Sequence, residues 1–386
     1  MIRILFFISG GFHKAGTETV VLNIFNNIDK ENFSIDFAIL GDQKTCACEE
    51  IQHIEKNGAH VYYITPRGVD FRRNNLDICE LLSKEKYDIV HSHLDAIGAN
   101  CLRIAKKYGV PVRIAHSHNT AHVMSAERSL KNYLHKLFLN VEKYLTRYYA
   151  NAYISCSTDA QNWLFGKHVC NLSNSLILKN AIDTVRYKYS EKTDRELREK
   201  LGLVDKRVVG HVGRFDYQKN HEYLIDIFEK LKEIDNQVHL LLIGSDGPTL
   251  ARIEKTIKEK KLQDSVTILK NRDDVADLLN IMDVFVFPSL FEGLGIALIE
   301  AQCNGLKCFA SDTVPKEVNV VGTVEYLNIN REPIEWARCI NRYLGNIIQT
   351  HEDRNEELVK KAGYDIRKSV KELERFYLNC YLRNST

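Results

Sequence analysis

Two carboxylates and two cations, each set beside glycines in a turn, are the residues of this chain best placed to do chemistry. The stretch 284–301 reads Val-Phe-Val-Phe-Pro-Ser-Leu-Phe-Glu292-Gly293-Leu294-Gly295-Ile-Ala-Leu-Ile-Glu300-Ala. Its apolar start reads as a buried parallel strand, its glycines as a turn, and the run to Glu300 as a helix. Such a corner presents free backbone N–H groups and the positive end of a helix dipole to an anion. Carboxylates do not bind phosphate, so Glu292 and Glu300 must address neutral hydroxyls on either side of it. On a single helix their eight-position spacing would span roughly 12 Å. That suits a ligand with hydroxyl-bearing parts around a charged centre, the layout of a nucleotide-sugar.

The cations lie in Gly213-Arg214-Phe-Asp-Tyr-Gln-Lys219-Asn220, between an expected strand and an expected helix. Gly213 lets the backbone turn. The forked guanidinium of Arg214 beside the point charge of Lys219 makes a clamp for a diphosphate; solvated loop charges are the bland alternative. Gly244-Ser-Asp-Gly-Pro is a second glycine turn after a strand. Neither loop has the Gly-Lys-Ser/Thr of a P-loop, and no Gly-x-Gly-x-x-Gly occurs, which argues against a dinucleotide cofactor. Four histidines, His91, His93, His116 and His118, form two same-face pairs at neighbouring strand ends. A four-histidine metal cluster is one reading. No acidic residue accompanies them at ligand spacing, and polar strand ends lining a crevice account for both pairs with no metal.

The elements that must position these residues follow from hydrophobic periodicity. Strands at Ile2–Ile8, Ser34–Leu40, His60–Ile64, Ile89–His93, Val112–Ser117 and Ala152–Ser155 alternate with helical runs. The pattern restarts with strands at Arg207–Val212, Val238–Ile243, Val266–Leu269, Val284–Pro288 and Lys307–Ser311, and two helices, Pro333–Ile348 and Arg354–Asn379, close the chain. Alternation of this kind predicts an α/β protein of two Rossmann-like, doubly wound domains facing each other across a crevice. The polar stretch Arg186–Leu203 reads as the linker. The expected division is residues 1–185, 186–365, and a last helix over 366–386 packing back towards the N-terminal domain.

Bulk properties limit the partners. The 386 residues carry 53 Lys and Arg against 51 Asp and Glu, so no global charge favours nucleic acid. The ten cysteines are scattered; the one close pair, Cys46-Ala-Cys48, fits neither a zinc knuckle nor a redox motif, and reduced thiols in a cytoplasmic protein are expected. The apolar start reads as a first strand rather than a signal peptide, and no apolar run reaches membrane-spanning length. Ser129–Tyr149 is a long helical run mixing aromatics with Lys131, Lys136, Lys143 and Arg147. It reads either as a peripheral contact to an anionic membrane or as a surface helix whose aromatics pack inward.

Taken together, these residues resemble the family 4 retaining glycosyltransferases of GT-B architecture over nearly the whole chain. The most specific part is the Glu-x7-Glu run from Glu292 to Glu300, preceded by Phe-Val-Phe-Pro-Ser. Gly213-Arg214-Phe with Lys219-Asn220, the Gly244 turn, Asn180-Ala-Ile-Asp183 and Gly16-Thr17-Glu18 also match. The Ala-His-Ser-His-Asn run ending in His118 and Asn119 resembles bacterial capsule and exopolysaccharide enzymes.

The resemblance implies transfer of a hexosyl or N-acetylhexosaminyl group from a nucleoside diphosphate sugar, expected to be a UDP-sugar, with retention, without metal or cofactor. The acceptor would be a glycan or lipid-linked chain. Arg214, Lys219, Glu292 and His118 are implied as catalytic residues. Gly16, Glu18, Asn180, Gly213, Gly244, Arg272, Gly293, Leu294, Gly295, Glu300 and Glu317 are implied for substrate binding, with Glu300 on the ribose. Leu294 stands where many members have Phe, and Pro315-Lys-Glu317 lacks the usual preceding glycines. A nucleotide-sugar epimerase of the same fold and an inactive partner subunit are the competing readings.

Overall fold

The computed structural model describes residues 1–10, 16–43, 49–119, 130–167, 169, 172–346 and 354–384. Residues 11–15 of the first glycine loop, Cys46 and Cys48, Ser129, and the expected helix end at Ile348 lie outside them. The chain forms two compact units, Met1–Ala181 with Ile366–Thr386, and Ile182–Asp365.

Among the described residues, the first unit has a seven-stranded parallel sheet. Its strands are β1 (Ile2–Ser9), β2 (Phe33–Leu40), β3 (Val61–Ile64), β4 (Ile89–Ser92), β5 (Val112–Ser117), β6 (Ala152–Ser155) and β7 (Ser175–Ile177), in the order β3-β2-β1-β4-β5-β6-β7. The run Ile4–Ile8 is buried throughout, as a parallel strand covered on both faces must be. Strand order reverses between β1 and β4, the kind of switch point at whose C-terminal strand ends open α/β sheets bind ligands.

The second unit repeats this plan with β8 (Arg207–Val212), β9 (Val238–Gly244), β10 (Val266–Lys270), β11 (Val284–Phe287), β12 (Cys308–Ser311) and β13 (Val324–Leu327), ordered β10-β9-β8-β11-β12-β13. Successive side chains alternate between two core layers. Val209, Leu240, Leu242, Val284 and Val286 pack with Trp336 and Phe228 on one face. Val208, Leu241, Ile243, Phe285 and Phe287 pack with Leu298 and Val359 on the other. The switch point falls between β8 and β11, the two strands that feed the Arg214–Lys219 loop and the Glu292 loop.

Three expectations are corrected. The stretch read as a linker carries the helix Glu191–Leu201, capped by Ser190 and closed by left-handed Gly202. None of its residues is fully buried, which is why hydropathy missed it; Arg198 pins it through Asp194 at 2.7 Å and Asp283 at 3.0 Å. The single closing helix is two, Arg354–Lys361 and Ile366–Asn384, divided at Gly363, whose φ of +86° suits glycine. Strands β7 and β13 went unread because they are short, half-buried edges without a clear period.

The last helix belongs to the first unit. It buries Val370, Leu373 and Tyr377, and Glu374 accepts the Asp29 N–H at 2.8 Å. In the second unit Trp336 is fully buried, with its indole N–H on the Asn328 carbonyl at 3.1 Å. Trp336→Ala is expected to destabilise that unit by about 3–5 kcal/mol, read as a lowered midpoint in denaturant; an unchanged midpoint would contradict this packing.

Candidate functional site

The loops after β8 and β11 meet through an ion pair. Lys219 Nζ lies 2.7 Å from Glu292 Oε1, with side-chain exposures of 16% and 6%. Gln218 Nε2 donates to Glu292 Oε2 at 3.1 Å, so both carboxylate oxygens are held. The ammonium also sits over the Phe287 ring, 4.7 Å from its centroid. Two further bonds fasten the loops: Leu290 N–H to the Gln218 carbonyl at 2.9 Å, and Asn220 Nδ2 to the Pro288 carbonyl at 3.2 Å. Asn220 adopts a left-handed φ of 54°, a conformation asparagine tolerates better than most residues, and it opens the helix His221–Ile234.

Glycines bring these loops close. A Cβ on Gly244 would stand 2.1 Å from the Gly213 carbonyl oxygen, and one on Gly213 would meet Lys219 carbons and His211 Nε2 at 3.1 Å. Gly295 caps the helix Ile296–Asn304 at φ +86°. Leu294 is buried in the core below, whereas Gly293 is exposed with open space where a side chain would stand. The helix starts only at Ile296, so Glu292 is a loop residue and the axial spacing expected on a single helix does not apply.

Glu300 lies on that helix, where Tyr187 donates its hydroxyl to Oε1 at 2.7 Å. Burial pushes the Glu300 carboxyl up, partly opposed by the Tyr187 bond and by Arg186. Arg214 is exposed on its loop. Arg272 is engaged by Asp274, with Nε 2.7 Å from Oδ1; next to it, the Asn271 N–H donates to the Gly244 carbonyl. Glu317 is exposed on the 3-10 turn Lys316–Val318. Ser311 and Thr313 both donate to the Ser289 carbonyl, tying the loop after β12 to the one after β11.

In the first unit, Gly16 and Glu18 open the helix Gly16–Asn27, and Glu18 and Asn180 are buried. The four histidines form one cluster at the ends of β4 and β5. His91 Nε2 is 3.1 Å from His116 Nδ1, and His93 Nδ1 is 2.9 Å from His118 Nε2. All four are buried, and burial pulls each ring below the ordinary imidazole range. Asp95, at φ 48°, accepts the His118 N–H at 2.7 Å and the Asn119 side chain at 2.7 Å.

Tyr187, Gln218 and Asp95 were not among the expected site residues. Tyr187 sits in the stretch read as linker, and its partner is 113 positions away. No local pattern signals such a contact.

Two doubly wound units, the second with a glycine-lined corner at its switch point, define the α/β class, and the sequence comparisons give the family. Residues 15–186 match the model described as glycosyltransferase family 4, and residues 193–362 that of glycosyl transferases group 1. The putative glycosyltransferase EpsF of Bacillus subtilis (strain 168) is 31% identical over 97% of this chain and 96% of its own length. The UDP-Gal:alpha-D-GlcNAc-diphosphoundecaprenol alpha-1,3-galactosyltransferase of Escherichia coli is 26% identical over 79% of this chain and 78% of its own. The structure of Anabaena HepE in complex with UDP superimposes with a TM-score of 0.75 at 18% identity, covering 98% of this chain and all (100%) of that one. The chain belongs to the family 4 glycosyltransferases, with the paired Rossmann-like domains of the GT-B class.

Burial also shifts two histidines beneath the cation loop, His211 to about 4 and His221 to about 2. Below the ordinary 6.5 the unfolded chain therefore takes up protons that the folded rings refuse. Their stabilisation is complete above about pH 6.5 and is lost as pH falls, down to about 4 for His211 and about 2 for His221. The denaturant midpoint is expected to be lower near pH 5 than near pH 7.5; equal midpoints would contradict neutral, buried rings.

Proposed function

We propose that this chain is a retaining glycosyltransferase that moves a hexosyl or N-acetylhexosaminyl group from a UDP-sugar to a glycan or lipid-linked acceptor in bacterial capsule or exopolysaccharide synthesis. The observation that carries the reading is the Lys219–Glu292 pair at the β8/β11 switch point, beside the open Gly293 backbone. An ammonium has three N–H donors, and Glu292 engages one, leaving others for a phosphate oxygen. Arg214, exposed on the same loop, supplies the second cation. Glu300 takes a ribose hydroxyl, and Glu292 faces the sugar. The name of one relative, the capsular polysaccharide biosynthesis glycosyltransferase CapH of Staphylococcus aureus, supports a polysaccharide setting. That of the Escherichia coli relative supports a lipid-linked acceptor, and HepE is described in complex with UDP-glucose.

In this mechanism the bond from the anomeric carbon to the diphosphate oxygen breaks as the acceptor oxygen bonds on the same face. The acceptor proton passes to the departing phosphate oxygen. No protein nucleophile takes part. Arg214, Lys219 and the backbone N–H groups at 293–295 offset the charge that grows on the leaving group, so no divalent ion is required there. In the first unit, Asn180, His118, Gly16 and Glu18 are proposed as substrate contacts.

Arg214→Ala and Lys219→Ala are each expected to cut turnover by about 10²–10³-fold with the thermal melt of Arg214→Ala unchanged. Near-normal turnover in either variant would sink the assignment. Incubating the donor without acceptor distinguishes the epimerase reading, which converts the donor to its epimeric nucleotide-sugar in that arm.

Peripheral attachment to the inner face of the membrane is the second part of the proposal. The helix Leu130–Tyr149 buries Leu139, Glu142 and Thr146 but exposes Tyr133, Leu134, Leu137, Phe138, Val141, Tyr144 and Tyr148. The inward packing considered from the sequence does not hold for these aromatics. Lys136 and Arg147 are exposed on the same helix, a mixture suited to an anionic interface, and no described helix is long and apolar enough to cross a membrane. The protein is expected to float with vesicles containing anionic phospholipid and much less with zwitterionic ones. Recovery in the bottom fraction in both cases would contradict attachment through this face.

A further inference from the structure

The histidine cluster of the first unit has more ring nitrogens than its hydrogen bonds use. His91 Nδ1 meets the Tyr377 hydroxyl at 2.7 Å, and His93 Nδ1 meets His118 Nε2 at 2.9 Å. His93 Nε2, His116 Nε2 and His118 Nδ1 are buried without a partner. An unpartnered buried polar atom is costly, and an occupant of the cluster would relieve part of that cost. The described residues offer little else: Phe6 closes one side, with its ring 5.1 Å from His91 and 4.7 Å from His93.

His91, His93 and His116 each present a nitrogen, and these three atoms lie within 4.8 Å of one another. The closest pair, His91 Nε2 and His116 Nδ1, stands at 3.1 Å. Ligands at the usual zinc–nitrogen length in a tetrahedral site are ~3.3 Å apart, so separations that reach up to 4.8 Å must contract for the set to close. The outer arrangement also fits. A ligating imidazole needs its second nitrogen held by an oxygen or another acceptor; Tyr377 does this for His91, and His118 does it for His93. Burial keeps the rings neutral, the form that binds metal. Soft carboxylate-free imidazole sets favour zinc-like dications over magnesium or calcium.

We propose that His91, His93 and His116 form a binding site for a borderline transition-metal dication, Zn²⁺ or a close equivalent, that clamps the ends of β4 and β5. His118 stays outside the ligand set and is oriented by the His93 N–H. The metal is a structural clamp, distant in role from the diphosphate, whose charge is met by Arg214 and Lys219. The site stands on the first unit's own geometry and holds whether or not the proposed donor is right.

The test is metal content and a cobalt spectrum on the purified full-length chain without an affinity tag. About one equivalent of zinc per chain, and a visible absorption band of a low-symmetry site after cobalt replacement, are expected. The double variant His93→Gln, His116→Gln should lose both while keeping its far-UV circular dichroism. Where that variant does not fold, Tyr377→Phe decides, since it spares every ligand but removes the partner of His91; zinc affinity should fall about 10–100-fold. A folded wild-type chain without stoichiometric zinc and without a cobalt band overturns the proposal. So does a folded double variant that retains the wild-type metal content, or a Tyr377→Phe chain with unaltered affinity.

Discussion

The pairing of Lys219 with Glu292 is the constraint on which the second unit's site depends. Neither charge is well solvated, since their side chains are 16% and 6% exposed. Removing either partner would strand the other in a poorly hydrated place, which costs far more than an exposed pair gains. The pair therefore fixes two loops that come from strands 75 or so positions apart in sequence but adjacent in the sheet. Gln218, Leu290 and Asn220 repeat the link with neutral hydrogen bonds. What results is a preorganised cation, already paid for in folding, beside an open backbone at Gly293.

Glycine makes that arrangement possible at the level of single atoms. The Gly213 carbonyl lies where a Gly244 side chain would be, so the β8 and β9 turns can touch only as bare backbone. Gly295 supplies the left-handed residue that aims the Ile296–Asn304 helix at the same corner. Leu294, in place of the more usual aromatic, is buried as an anchor for the loop. Its side chain acts on the core and leaves the ligand side to backbone groups.

Apart from the edge strands β7 and β13, the sheet strands were legible in the sequence because most are apolar runs bounded by turns, as with Ile4–Ile8 and Val284–Phe287. So was the corner itself, since Glu292, the glycines and Lys219 sit next to strand ends. The helix Glu191–Leu201 was not, because a helix with no fully buried residue carries almost no hydrophobic period. Glu300 was legible as a carboxylate on the helix after that corner, but its Tyr187 partner was not. That contact is made by tertiary folding, and a tyrosine in a polar stretch announces nothing. The histidines were visible as two pairs; they merge into one cluster because β4 and β5 are neighbours in the sheet, and the last helix returning to the first unit adds the Tyr377 contact.

The first unit shows how the same topology carries different chemistry. The ends of β4 and β5 carry buried imidazoles rather than a cation loop, and strained Asp95 organises the backbone at His118. The central claim concerns the other unit: its corner receives a nucleoside diphosphate. Hydrogen–deuterium exchange with and without UDP tests that most directly, because backbone N–H groups are the proposed ligands. Protection on adding UDP should concentrate in peptides covering 213–220 and 291–300. Unchanged exchange in both peptides at saturating UDP would contradict the account.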